Sequence, residues 1–158
     1  MKFLEHAHIV HAAPAAVIAA NEDIYNGDIA SDIISMANAE SAVFMIIQNS
    51  GVTGSASVQI FACDDVTPTN TSAISFKYKR ITSGDTHGAT TESVLLRTTA
   101  GADQIYVIEV EAAKLAETGY GYVQLSATEA VDSPVDGAVV AFLMGLRSAE
   151  DALGTQLT

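Results

Sequence analysis

Residues Ala42–Asn70 read AVFMIIQNSGVTGSASVQIFACDDVTPTN. Val43 to Ile47 is an unbroken apolar run, the pattern of a strand buried on both faces. Ser57 to Cys63 alternates instead, with Val58, Ile60 and Ala62 on one side and Ser57 and Gln59 on the other. Between the two, NSGVTGS supplies Gly51 and Gly54, where a positive φ costs little. The stretch therefore predicts a β-hairpin of one deep and one shallower strand. It ends in an acidic loop punctuated by Pro68.

Strand signals recur on both sides of this stretch. Upstream, Phe3, Ile9 and Val10 allow a strand near His6–His11, closed by Pro14. The Ala-rich residues that follow fit either a helix or an extended arm. Asn21–Ser31 reads as a loop, and Asp32–Met36 as a short strand. Downstream, Ile74, Phe76 and Tyr78 alternate with Ser75, Lys77 and Lys79, a half-exposed strand whose lysines suit a sheet edge. A polar loop over Ser83–Thr91 precedes a strand at Val94–Arg97. Gln104–Val110 is apolar on both faces, hence central. Ala112–Glu117 fits one helical turn capped by Gly119. Tyr120–Thr128 and Val139–Leu146 are the last strands, separated by a turn at Asp132–Gly137. About eight short strands with turn signals between them predict an all-β, single-domain β-sandwich, jelly-roll-like or Greek-key. Residues 1–40 form an N-terminal arm with the first strands, 41–147 the sandwich core and 148–158 a polar tail.

Composition narrows the role. Of 158 residues, 49% are hydrophobic and only 16% charged, against about 25% in ordinary soluble domains. Such a chain is expected to bury further apolar surface against its own copies or another protein. Nineteen acids against seven Lys and Arg give a net charge of -12, the wrong sign for nucleic acid or an anionic membrane. The acids are spread along the chain and serve solubility. No apolar run reaches the roughly 18 residues of a membrane helix. Lys2, Glu5 and three histidines stand where a signal-peptide core would be, so synthesis and retention in the cytosol are expected.

The chemically capable residues do not form a known catalytic pattern. Cys63 is the single cysteine, beside Asp64 and Asp65, which raise a thiol pKa; it reads as a small core residue. His6, His8 and His11 are the candidate metal ligands, yet no regular conformation brings all three to one side. Asp64 and Asp65, with Thr67 and Asn70, have oxygens for Ca²⁺ but not the spacing of an EF-hand, and Asx turns account for them. Asp132 and Asp136 flank Pro134 in a similar turn. His87 sits in a glycine-flanked loop, and GxSxG, HExxH and GxxxxGK[ST] are all absent. Lys77, Lys79 and Arg80 form a small basic cluster suited to an acidic neighbour. Tyr106, Tyr120 and Tyr122 suit packing better than a sugar platform. No enzyme activity and no cofactor are expected.

A resemblance sharpens the expectation. Val43–Thr86 (VFMIIQNSGVTGSASVQIFACDDVTPTNTSAISFKYKRITSGDT) is followed by LLRTTAGADQIYVIEVEAAKL and YVQLSATEAVDSPVDGAVVAFL. In this order the pieces resemble a family of small tailed-bacteriophage and prophage virion proteins, encoded near the major capsid protein. The resemblance covers Val43 to Leu146, about two thirds of the chain. It implies a capsid decoration (cement) protein on the outer surface of the head, binding the major capsid protein at capsomer junctions. A homotrimer would suit three-fold sites. A neck, tail-tube or tail-completion component is the alternative within a virion. A carbohydrate- or calcium-binding β-sandwich module is the alternative of another class.

Overall fold

The computed structural model describes residues 7–12, 23–26, 28–50 and 53–146. In chain order the strands are β1 (Ala7–Val10), β2 (Ile29–Ala30), β3 (Ile34–Ser35), β4 (Ser41–Ser50), β5 (Ser55–Cys63), β6 (Thr71–Ile74) and β7 (Phe76–Thr82). They continue with β8 (Thr86–His87), β9 (Thr91–Ser93), β10 (Leu96–Arg97) and β11 (Gln104–Glu111). A single-turn helix, α1 (Ala112–Ala116), then leads to β12 (Tyr122–Val131) and β13 (Asp136–Met144). Two antiparallel sheets pack on one another. The larger runs β1-β13-β4-β11-β7-β8, with β9 also on β7. The smaller runs β10-β5-β12-β2, with β3 on β12 and β6 on β5. The chain is an all-β sandwich, as the turn spacing predicts.

The opening hairpin is not formed. β4 lies in the middle of the larger sheet and β5 in the smaller, so Ala42–Asn70 crosses between layers. Gly51 lies outside the described residues. Gly54 is required for space and not for a positive φ: a Cβ there would collide with the Ser133 carbonyl oxygen and the Val135 side chain. Sequence reading went wrong because a tight turn and a layer crossing use the same residue types.

The alternating run from Ile74 is also split between layers. β6 pairs with β5, whereas β7, one residue later, pairs with β11. The period of two survives because Ile74 and Phe76 both face the interior at the corner. Lys77 and Lys79 are not on the outermost strand, since the short β8 and β9 pair along β7. The central position expected for β11 holds, between β4 and β7. So does the helical turn: Leu115 is its buried residue, and Gly119 (φ 77) ends it in the left-handed conformation.

The interior is built from alternate residues of both layers. Phe44, Ile46, Tyr106 and Ile108 from the larger sheet meet Val58, Ile60, Val123 and Leu125 from the smaller, all essentially inaccessible. The segment expected to be a loop contributes too. Ile24 and Tyr25 are fully buried, held where Ile24 N–H donates to the Val135 carbonyl at 2.8 Å. Asp23 Oδ1 accepts from the N–H of Tyr25 at 2.9 Å and of Val135 at 3.2 Å. Polar groups collect at this end of the sandwich. Tyr106 and Gln104 share a hydrogen bond with Thr99, while both polar atoms of the Gln48 amide are buried without a partner. Burial pushes the Tyr25 hydroxyl well above its usual pKa.

Candidate functional site: an apolar sheet face

The larger sheet turns one set of alternate residues inward and another outward, and the outward set is mostly apolar. On β4 the outward residues are Val43, Met45 and Ile47, each only half-buried, between the buried Ala42, Phe44, Ile46 and Gln48. The run Val43–Ile47 is thus apolar on both sides but covered on one. Its neighbours extend the surface. Phe142 lies opposite Val43, Val140 opposite Met45 and Ala138 opposite Ile47 on β13. Val107 and Ile105 of β11 flank Met45 and Ile47 on the other side. Ile9 of β1, 51% exposed, continues the row beyond Phe142. Val43, Met45, Phe142 and Met144 wall a shallow depression of about 380 Å³.

Charge gathers toward one corner, where Glu109 lies opposite Val43. There Lys77 Nζ meets Glu111 Oε1 at 2.6 Å, with both side chains half exposed. The contact raises the lysine pKa and lowers that of the glutamate, first through the hydrogen bond and then through charge. Glu109 lies opposite Lys77 on the adjacent strand. At the other end Ile47, Ile81 and Ile105 floor a second depression of about 280 Å³ edged by Asp85 and Asp103.

The residues singled out from sequence as chemical candidates are dispersed. Asp64 accepts four hydrogen bonds from its own loop: Thr69 N (3.1 Å), Thr69 Oγ1 (3.0 Å), Asn70 N (3.1 Å) and Asn70 Nδ2 (2.9 Å). These donors, the Asn70 side chain first, lower its pKa. Asp65 accepts from Val66 N at 2.6 Å. His6 lies outside the described residues; His8 is half-buried on β1 and His11 exposed just after it. Among the described residues, no group of three or more His, Cys, Asp or Glu is placed to hold a metal ion.

Cys63 is fully buried, and burial, with Asp64 beside it, pushes its thiol to about 11. His87 is exposed on β8. Arg80 Nη1 donates to Thr99 Oγ1 at 2.6 Å. Tyr106 faces the core, where its hydroxyl meets Gln104 Oε1 at 2.9 Å, so it shares no platform with the half-buried Tyr120 and Tyr122. Among the described residues no helix is long and apolar enough to cross a membrane.

One feature of interest was hidden in the sequence. Val140, Phe142 and Met144 continue the surface begun by β4, but β13 is almost a hundred residues away in sequence. Only the pairing of β13 with β4 joins them. The signal available was the apolar run on each strand, which reads equally as two-sided burial.

No known protein family and no curated protein matches the chain. Among solved structures it is similar to the crystal structure of the SPBc2 prophage-derived protein YomS, with a TM-score of 0.46 and 12% identity. The overlap covers 88% of this chain and 91% of that one. Likeness at this level says nothing about role.

Proposed function

We propose that this chain is a non-enzymatic virion structural protein of a tailed phage: a capsid decoration protein that binds the major capsid protein at capsomer junctions and stabilises the head. The observation that carries this reading is the outward face of the larger sheet. A small sandwich that turns Val43, Met45, Val107 and Val140 to one outer surface, none of them fully buried, is suited to being covered by protein. The sequence resemblance supplies the setting. Stabilisation would be additive, because each bound copy favours the closed shell by mass action and bridges neighbouring subunits. Synthesis in the bacterial host and residence on the capsid surface follow from this reading.

Cryo-EM of particles carrying this protein tests the proposal. Density of this sandwich on the outer shell at capsomer junctions is expected. Density confined to the neck or tail would replace decoration by the alternative virion role, and absence from the particle would remove both.

A further inference from the structure

We propose that the outward face of the larger sheet is covered by a second copy of the same chain, with the two large sheets packed face to face about a two-fold axis. The inference rests on reading that face as a protein-binding surface and commits to its occupant; a pair joined this way would meet the capsid through its remaining surfaces.

Three observations favour a second copy. The first is size. Five strands at about 4.8 Å spacing and about eight residues at 3.4 Å give a footprint of roughly 600 Å². Two such footprints total roughly 1,200 Å², the lower end of a specific interface. The second is self-complementarity. The smaller sheet turns a mixed row outward, Ser57, Gln59 and Phe61 on β5 and Tyr122, Gln124 and Ser126 on β12, so its two aromatic residues are interrupted by hydroxyl and amide groups. A three-fold ring needs two different surfaces that fit each other, whereas a two-fold pair needs one surface that fits itself. Only the larger sheet offers an apolar surface of this size among the described residues. The third is charge. Two copies at net charge -12 repel, so they meet best where acids are matched. The strands of this face set Glu92, Glu109 and Glu111 around Lys77 and Lys79, so most of its acids stand beside a lysine.

Salt also separates the possible occupants. Salt screens repulsion between like-charged copies and strengthens an apolar contact, so pairing of this chain should tighten as salt rises. A basic partner attracted to the acidic chain would bind more weakly under the same change.

Sedimentation velocity on the whole chain from about 1 to 100 µM is the test. Twice the chain mass is expected, with association stronger at high salt. Met45→Asp should weaken pairing by about 100-fold or more, since an unpaired carboxylate would be buried in the contact. Val43→Thr with Met45→Thr keeps strand-compatible side chains and should also yield monomers, which guards against misfolding of the aspartate variant. Three results overturn the inference. A monomeric wild type would mean that the face is covered by another part of the chain or by the shell. A three-fold mass would mean a ring. Pairs that survive in both variants would place the contact elsewhere. Failure to find the protein on capsids would leave a measured pair intact, so the two proposals fail separately.

Discussion

The two sheets have similar inner faces and opposite outer ones. Inward, both present aliphatic and aromatic residues: Phe44, Ile46 and Ile108 from the larger, Val58, Ile60 and Leu125 from the smaller. Outward, the smaller sheet presents Ser57, Gln59, Gln124 and Ser126 with Phe61 and Tyr122 among them, whereas the larger presents Val43, Met45, Val107, Val140 and Phe142, with Glu109, Lys77 and Lys79 toward one side. A solvated sheet needs only its inner face apolar, and β5 and β12 follow that rule except at Phe61 and Tyr122. β4, β11 and β13 do not. Apolar content beyond the demands of the core is thus concentrated on the outer face of one layer.

The sharpest test of this division uses two neighbouring isoleucines. Ile46 is fully buried between the sheets, and Ile47 is half-buried on the outer face. Ile46→Ala should cost about 2–5 kcal/mol, the transfer term plus the cavity left behind. Ile47→Ala should cost less, about 1–2 kcal/mol in the isolated chain, because part of its surface is already wet and no closed cavity is left behind. Urea denaturation of dilute protein reads both values. Equal losses would mean that the outer face is covered within the monomer and would erase the contrast between the layers.

The same contrast explains what was legible in the sequence. β5 is legible because Ser57 and Gln59 interrupt the apolar residues at a period of two. β11 is central because it pairs with β4 and β7, yet its two-sided apolar pattern overstates the cover, since Ile105 and Val107 face outward. The sandwich class followed from the spacing of strands and turns. Sheet membership did not. A hairpin turn and a crossing between layers both call for Gly, Ser and Thr, and only Gly54 packing against Ser133 and Val135 reveals which one occurs. The candidate surface was half-legible: Val43–Ile47 announced an apolar strand, but its union with Val140 and Phe142 depends on pairing across the chain. Ile24 and Tyr25 were missed because Asn, Asp and Gly around them signal a loop, and a loop can still insert two side chains into a core.

A smaller effect is expected where the inner face of the smaller sheet meets charge. Glu129 continues the inward row of β12 past Ala127, opposite Ala56, and one of its carboxyl oxygens is buried without a partner. Burial raises its pKa, and the neighbouring Asp23 and Asp132 raise it further. A carboxyl group whose folded pKa is raised stabilises the fold below its unfolded value, near 4.5, and loses that contribution as pH rises through the folded value. Glu129→Gln keeps the shape without the charge. The variant should therefore melt at a higher temperature than wild type at pH 7 and at nearly the same temperature at pH 4. A wild type that gains on the variant as pH rises would show that the carboxylate is welcome there. The inward row would then tolerate a charge that the comparison of faces says it excludes.

The smallest effect belongs to the margin of the polar layer, where Asp64 closes the loop after β5. Four donors from Thr69 and Asn70 hold its carboxylate and lower its pKa. A depressed carboxylate pKa stabilises the fold above the unfolded value, about 3.8, and that contribution disappears as pH falls through the folded value. Asp64→Ala should thus lower the melting temperature slightly at pH 7, and the gap should close in acid. Calcium added to wild type should leave the melting point unmoved, because the oxygens that an ion would need already accept N–H and O–H groups. A calcium-dependent rise, lost in Asp64→Ala, would make this loop an ion site. The layer with the hydroxyl and amide surface would then carry a binding function of its own, beside the apolar face of its partner sheet.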